Sequence, residues 1–233
     1  ILGLLPEKTL PDPVKVFTTF IDKFTNPNPD GGTLLQHTGA SLQVALTGYI
    51  TAMVIGIPLG ILMAWNKYVD RFVRPLFDLI KPIPGVAWIP LMIVIFGIGL
   101  QSKAAVVFFS AVVPCILNSY TGIKQTKEVH LWVARTFGGT RNQMLFKIAI
   151  PTALPYIMTG VRIALGAAWV AIVAAELLGS TKGLGFMIQQ ARGIYRTDII
   201  IVGMLASGIC GAVLTAVLGV IERLVVKGRE RNA

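Results

Sequence analysis

Residues 153–178 read Ala153-Leu-Pro-Tyr-Ile-Met-Thr-Gly-Val-Arg162-Ile-Ala-Leu-Gly-Ala-Ala-Trp169-Val-Ala-Ile-Val-Ala-Ala-Glu176-Leu-Leu178. Only Arg162 and Glu176 are charged, and the run exceeds the roughly 20 apolar residues that an α-helix needs to cross a bilayer. Its apolarity is continuous rather than alternating. Lipid offers backbone amides no partner, so such a run is a helix and not a barrel strand. Four further runs share this character, at 42–65, 83–100, 104–120 and 199–226, the last with only Glu222 and Arg223 near its end. A mean hydropathy of +0.71, with 54% hydrophobic and 14% charged residues, is too apolar for a soluble domain. The expected fold is all-α, a polytopic membrane protein with five spans visible.

The net charge of +10 does not point to nucleic acid, because the basic residues are dispersed among short loops. One side holds Lys67, Arg71, Arg74 and Lys81, then Lys124, Lys127, Arg135, Arg141 and Lys147, then Arg223, Lys227, Arg229 and Arg231. The other side holds seven, namely Lys8, Lys15, Lys23, Lys103, Lys182, Arg192 and Arg196. Thirteen against seven places the C-terminus in the cytosol by the positive-inside rule. Five spans then put residue 1 outside. The chain starts at Ile1, so Ile1-Leu-Gly-Leu-Leu5 is expected to be the end of a missing first span. Residues 1–36 would comprise that end and a polar extracytoplasmic loop, 37–226 the membrane domain, and 227–233 a basic cytosolic tail. Cys115 and Cys210 lie inside apolar runs and form no disulfide framework.

Small residues recur every fourth position at Gly48, Ala52, Gly56, Gly60 and Ala64, and again at Gly203, Ser207, Gly211, Thr215 and Gly219. Such rows let helices approach closely, and the last span is expected to be buried among others. In 153–178, Arg162, Trp169 and Glu176 are spaced by seven and share a stripe, while Gly160, Ala164, Ala168, Ala171 and Ala175 form a small face. Together with Thr159, this stripe supplies the candidate translocation path. The alternatives are structural: Arg162 snorkels or pairs with the neighbouring polar helix, and Glu176 pairs with Lys182 or Arg192. The segment Gly179-Ser-Thr-Lys-Gly-Leu-Gly-Phe-Met187 reads as a loop or short helix over an external mouth.

Between spans lies Lys127-Glu-Val-His-Leu-Trp-Val-Ala-Arg-Thr-Phe137. Its spacing predicts a helix with Val129, Trp132, Val133 and Phe137 on one side, stopped by Gly138-Gly139. By itself it fits an interfacial helix on the bilayer as well as a protein contact. The residues after the glycines favour the contact. Gly138, nine residues, then Ile148-x-Ile150-Pro151 resembles the cytosolic coupling loop of binding-protein-dependent ABC importer permeases. Trp132 and Val133 stand where that family has Glu and Ala, whereas Ala134 and Gly138 are kept. Glu128, one turn before Trp132, is the candidate replacement acid.

The resemblance extends through Gln36-His-x-x-Ala-Ser-Leu42, Gly56-Ile-Pro-Leu-Gly60, Pro82-Ile-Pro84, Ala87-Trp-Ile-Pro90, Phe96-Gly-Ile-Gly99, Thr159-Gly-Val-Arg162 and Ala174-Ala-Glu-Leu177. These look like the nitrate/taurine/sulfonate branch, and Thr181-Lys-Gly-Leu-Gly-Phe-Met187 looks most like its taurine and alkanesulfonate permeases. The resemblance implies a type I ABC importer transmembrane domain: six-span subunits, two copies, in a bacterial inner membrane. An external binding protein would deliver a small anion, taurine or an alkanesulfonate, with nitrate, bicarbonate or a heterocyclic precursor as alternatives. A coupling helix at about 126–142, with Glu128, Trp132, Ala134, Arg135, Gly138, Thr140 and Arg141, would dock on a cytosolic ATPase dimer and drive alternating access. The chain has no Gly-x4-Gly-Lys-Ser/Thr phosphate loop, so ATP and magnesium would be bound by those partners and the chain itself is not an enzyme. No cofactor or metal is expected in it. A membrane channel or membrane-embedded enzyme seeded on Arg162 and Glu176 is the reading from another class; neither needs a docking helix.

Overall fold

The computed structural model describes residues 11–226, and every regular element within them is helical. In chain order these are α1 (Pro13–Asp22), α2 (Leu34–Trp65), α3 (Lys67–Ile80), a 3-10 turn (Gly85–Trp88), α4 (Ile89–Phe96), α5 (Leu100–Lys124), α6 (Glu128–Thr136), α7 (Arg141–Met144), a π-helical turn (Leu145–Ala149), α8 (Ile150–Leu178), α9 (Leu184–Gly193) and α10 (Thr197–Val226).

The core is a layer of three helices. Thr33 and Gln36 form a reciprocal capping box that starts α2, which then runs through Pro58 to Trp65. Asn66 is extended, ending α2, and its side chain accepts from Tyr68 N–H to start α3. The row of small residues on α2 faces α5. A Cβ at Gly48 would lie 2.5 Å from the Ala104 carbonyl, and one at Gly60 2.4 Å from that of Ile116. These backbones touch because nothing projects between them. The matched order of contacts makes α2 and α5 parallel. Gly122 meets Ala153 and Tyr156, and Gly160 meets Pro114 and Asn118, so α8 runs antiparallel to α5. The small face of α8 is buried here: Ala164 and Ala168 are fully enclosed.

Among the described residues, four helices are long and apolar enough to cross a membrane: Leu34–Trp65, Leu100–Lys124, Arg141–Leu178 and Thr197–Leu224. The expected span at 83–100 differs. Its main helical part is Gly85–Phe96, the 3-10 turn followed by α4, which meets α3 at 86°, so among the described residues a fifth crossing exists only as this broken pair. Pro82 and Pro84 interrupt the backbone ladder, and Gly97, at φ +72°, stops α4. Helix α3 is amphipathic instead: Val69, Val73 and Phe77 pack on the core, Tyr68, Phe72 and Leu79 are exposed, and Arg74 pairs with Asp70 at 2.7 Å.

Two other expectations are corrected. The last span is not enclosed; α10 is the least buried of the four within the subunit. Gly203 packs on Met187 and Ile188 and Gly211 on Trp169, but Gly208 and Gly219 face open space. The polar extracytoplasmic loop expected within residues 1–36 contains α1, whose start is set by Asp12, which caps Val14 N–H, and by Pro13. Thr19 donates to Asp198 at 3.0 Å, fastening α1 to the start of α10. The expectations for residues 1–5 and for the tail at 227–233 lie outside the described residues.

Candidate functional site

Three places bring functional side chains together. The first is the projection between α5 and α8. Helix α6 begins at Glu128, which lies in its first turn, and ends in a Schellman arrangement: Gly139 N–H reaches the Ala134 carbonyl at 2.8 Å and Gly138 N–H that of Arg135 at 2.9 Å. Gly138 adopts φ +76°, and a Cβ on Gly139 would lie 2.7 Å from the Ala134 carbonyl. The turn therefore needs glycine twice. Val129, Trp132, Val133 and Phe137 are all exposed, Phe137 at 86%. An uncovered apolar edge of this kind suits contact with another protein or with a bilayer surface.

The projection is stiffly joined to the bundle. Thr140 accepts from Gln143 N–H at 3.3 Å, while Gln143 accepts from Thr140 N–H at 2.9 Å. Arg141 donates to the Trp65 carbonyl at 2.9 Å, fixing α7 to the end of α2. Helix α7 then continues without a break into α8 through the π turn, where Ile150 N–H bonds the Leu145 carbonyl. Pro151 has no N–H for the preceding turn, and the wider π ring takes up the lost register. Glu128, Trp132, Arg135, Gly138, Thr140 and Arg141 are exposed, with Ala134 half-buried beneath the glycine turn.

The second place is the stripe on α8. Arg162 pairs with Glu222 of α10, and Trp169 donates its indole N–H to the Ser207 carbonyl at 3.1 Å. Both residues thus bridge α8 to α10 rather than reaching the polar helix α6. Thr159 is exposed, its hydroxyl returned to the Pro155 carbonyl at 3.0 Å. Arg162 remains half exposed, which leaves the guanidinium edge free of protein cover.

The third place, around Glu176 at the opposite end of the bundle, is one that sequence reasoning missed. Glu176 is 1% exposed and pairs with neither Lys182 nor Arg192. Its carboxylate accepts from Ser41 Oγ at 2.8 and 2.9 Å and from Gly185 N–H at 2.9 Å. Ser41 Oγ also accepts from Leu184 N–H at 2.9 Å, and His37 Nδ1 accepts from Gly183 N–H at 3.1 Å. Three successive amides at the start of α9 are thus satisfied by side chains of α2 and α8. Because Nδ1 accepts, the His37 proton sits on Nε2, which lies 2.8 Å from Asp30 Oδ2. Asp30 in turn binds the buried Lys23 ammonium at 2.5 Å. Burial alone would raise the Asp30 carboxyl, but hydrogen bonds from His37 and Lys23 outweigh it and hold the group below its ordinary value. Lys103 closes the neighbouring loop by donating to Ser180 at 2.9 Å. The sequence did carry a signal for this cluster: His37 and Ser41 are four apart on one helical face, opposite a turn with glycine at 183 and 185.

Comparison with known proteins agrees with this architecture. Residues 56–231 match the family described as binding-protein-dependent transport system inner membrane component. The taurine transport system permease protein TauC of Escherichia coli is 35% identical over 225 residues, covering 95% of this chain and 81% of the relative. The nitrate import permease protein NrtB of Synechocystis is 33% identical, covering 95% and 82%. The putative aliphatic sulfonates transport permease protein SsuC of Bacillus subtilis is 30% identical, covering 98% and 81%. Among solved structures, the inward-facing MetNI methionine ABC transporter matches with a TM-score of 0.59 at 21% identity, covering 77% of this chain and 93% of that one. That likeness supports the helical fold alone. An all-helical bundle, an exposed projection ahead of α8 and this family match meet in one conclusion: the chain belongs to the binding-protein-dependent transport system inner membrane components, as a permease subunit of an ABC importer.

Proposed function

We propose that the subunit moves a small oxyanion of the taurine or alkanesulfonate kind. It would do so as one of two copies, with the end carrying α6 in the cytosol and the α9 end outside. The observation that carries the coupling half is the exposed edge of α6, Val129, Trp132, Val133 and Phe137, joined through the Gly138-Gly139 turn to the helix Arg141–Leu178 that contains α8. A cytosolic ATPase, which binds the ATP and magnesium, docks on this edge, with Glu128 and Arg135 as flanking charges. Closing of the ATPase pair pushes α6, and the push enters α8 through Thr140, Arg141 and the π turn. Thr159 and Arg162 meet the substrate. The guanidinium suits a sulfonate or nitrate oxygen pair, and Glu222 keeps it neutralised between passages. Trp169 braces the two helices. Glu176, enclosed among α2, α8 and α9, has a different task.

Two experiments test this. Co-purification with the cognate ATPase is lost when Ala134 is made bulky or when Gly138, at φ +76°, is replaced by a β-branched residue that its left-handed backbone rejects, whereas a channel or enzyme is indifferent to both changes. ATPase activity of the reconstituted complex with its binding protein, titrated with taurine, alkanesulfonates, nitrate and bicarbonate, names the anion. Nitrate is the second reading, because the nitrate relative is 33% identical against 35% for the taurine relative. Stimulation by nitrate alone overturns the sulfonate assignment and leaves the permease standing.

A further inference from the structure

Helix α9 has a start that no ordinary cap explains. Gly183, at φ +133°, precedes it, and no side chain of α9 itself satisfies its first amides. Those amides go to His37 Nδ1, Ser41 Oγ and Glu176 Oε2, at 3.1, 2.9 and 2.9 Å. All three donors' partners are essentially inaccessible to solvent. A buried carboxylate at a helix amino end faces both unpaired N–H groups and the positive end of the helix dipole. The protein has filled its own anion site with Glu176.

The packing allows no slack. A Cβ on Gly183 would lie 2.3 Å from the Glu176 carboxylate, and one on Gly185 2.6 Å from the Val173 carbonyl. A Cβ on Gly32 would lie 2.6 Å from His37 Nε2, so the external loop is pressed against the same imidazole. Charged groups surround the cluster from each element: Asp30 and Lys23 from the external loop, Lys103 from α5, Glu176 from α8. Removing one acceptor strands a buried amide, which is costlier than the hydrogen bond itself.

We propose that His37, Ser41 and Glu176 form a clasp that makes α9 move as one body with α2 and α8. They are positioning residues, through which a protein docking at the α9 end changes the disposition of the spans. The functional half of this proposal rests on the importer reading; the clasp itself does not.

The test uses the full chain in detergent and in the reconstituted complex. Amide hydrogen exchange at 183–185 is expected to quicken about tenfold in Ser41→Ala and in the near-isosteric Glu176→Gln, for the loss of about one hydrogen bond. Exchange in the α5 segment 107–116 stays as in wild type, which excludes general unfolding. In the complex with its cognate ATPase and binding protein, Ser41→Ala keeps basal ATPase activity but loses most of the stimulation by loaded binding protein. Unchanged exchange at 183–185 in both variants overturns the clasp. Faster exchange with full stimulation overturns the positioning role. A wild-type chain that recruits no ATPase defeats the importer reading instead, and the exchange measurement still decides whether the clasp exists.

Discussion

Replacing Gly60 by alanine tests the central seam of the bundle. The new Cβ would lie 2.4 Å from the Ile116 carbonyl oxygen and 2.9 Å from Ser119 Cβ, where ordinary contact begins at 3.4 Å. The nearest atom is backbone, so no side-chain rotation relieves the clash, and α2 and α5 must part by about 1 Å over that turn. Overpacking of this sort costs about 1–3 kcal/mol. Alanine returns up to about 1 kcal/mol through its better helix propensity. The expected net loss is therefore about 0–2 kcal/mol against wild type, and about 1–3 kcal/mol against Gly39→Ala, which gains the same propensity without the clash. Gly39, in the same helix, has nothing within 4 Å of its would-be Cβ. Gly39→Ala should be neutral or stabilising by up to about 1 kcal/mol. Reversible unfolding in mild detergent, titrated with a denaturing detergent and followed by tryptophan fluorescence, measures both. Gly60→Ala as stable as Gly39→Ala refutes a seam set by backbone contact.

Gly138→Ala forces a left-handed residue to carry a Cβ, at about 1–2 kcal/mol, and should weaken ATPase retention, while Gly138→Asn retains more of it; pull-down from detergent compares them. Arg162→Ala should raise the substrate concentration for half-maximal uptake into proteoliposomes at least severalfold, with ATPase retention unchanged. Arg141→Ala frees the Trp65 carbonyl and should lower the coupling ratio of transport to ATP hydrolysis without changing substrate preference. Acidification should loosen the external loop. Asp30 is held below its ordinary carboxylate value, so its stabilisation is complete above that value and is lost as pH falls through the depressed one. Proteolysis within 23–33 should accelerate only in that acid range, and Asp30→Asn should show the faster cleavage already at neutral pH.

The apolar runs, the small-residue faces and the glycine stop of α6 could all be read from the sequence, because each depends on local spacing. Gly60 and Ala164 lie where the fourfold period puts them, against a neighbouring helix. The run at 83–100 misled because hydropathy counts residues and ignores how Pro82, Pro84 and Gly97 divide them. Helix α10 misled for another reason: its row of small residues promises close neighbours along the whole helix, and within one subunit Gly203 and Gly211 find them whereas Gly219 does not. At the candidate site, Arg162 was visible as an intramembrane charge, but its partner Glu222 lies 60 residues away in another helix. The carboxylate of Glu176 could not be assigned for a similar reason: its partners at Ser41 and Gly185 meet only once three elements have folded together.

The π turn between α7 and α8 gives the projection an angular phase. Each residue of an α-helix advances the azimuth by about 100°, and the bond from Ile150 to the Leu145 carbonyl accommodates one residue more than an α-turn does. Deleting a single residue from 145–149 would restore the regular ladder and swing α7 about the axis of α8 by close to a third of a revolution. Arg141 would then face away from the Trp65 carbonyl, and the edge bearing Trp132 and Phe137 would point in a new compass direction beneath an otherwise unchanged bundle. The heading of this exposed edge is thus written in one inserted residue.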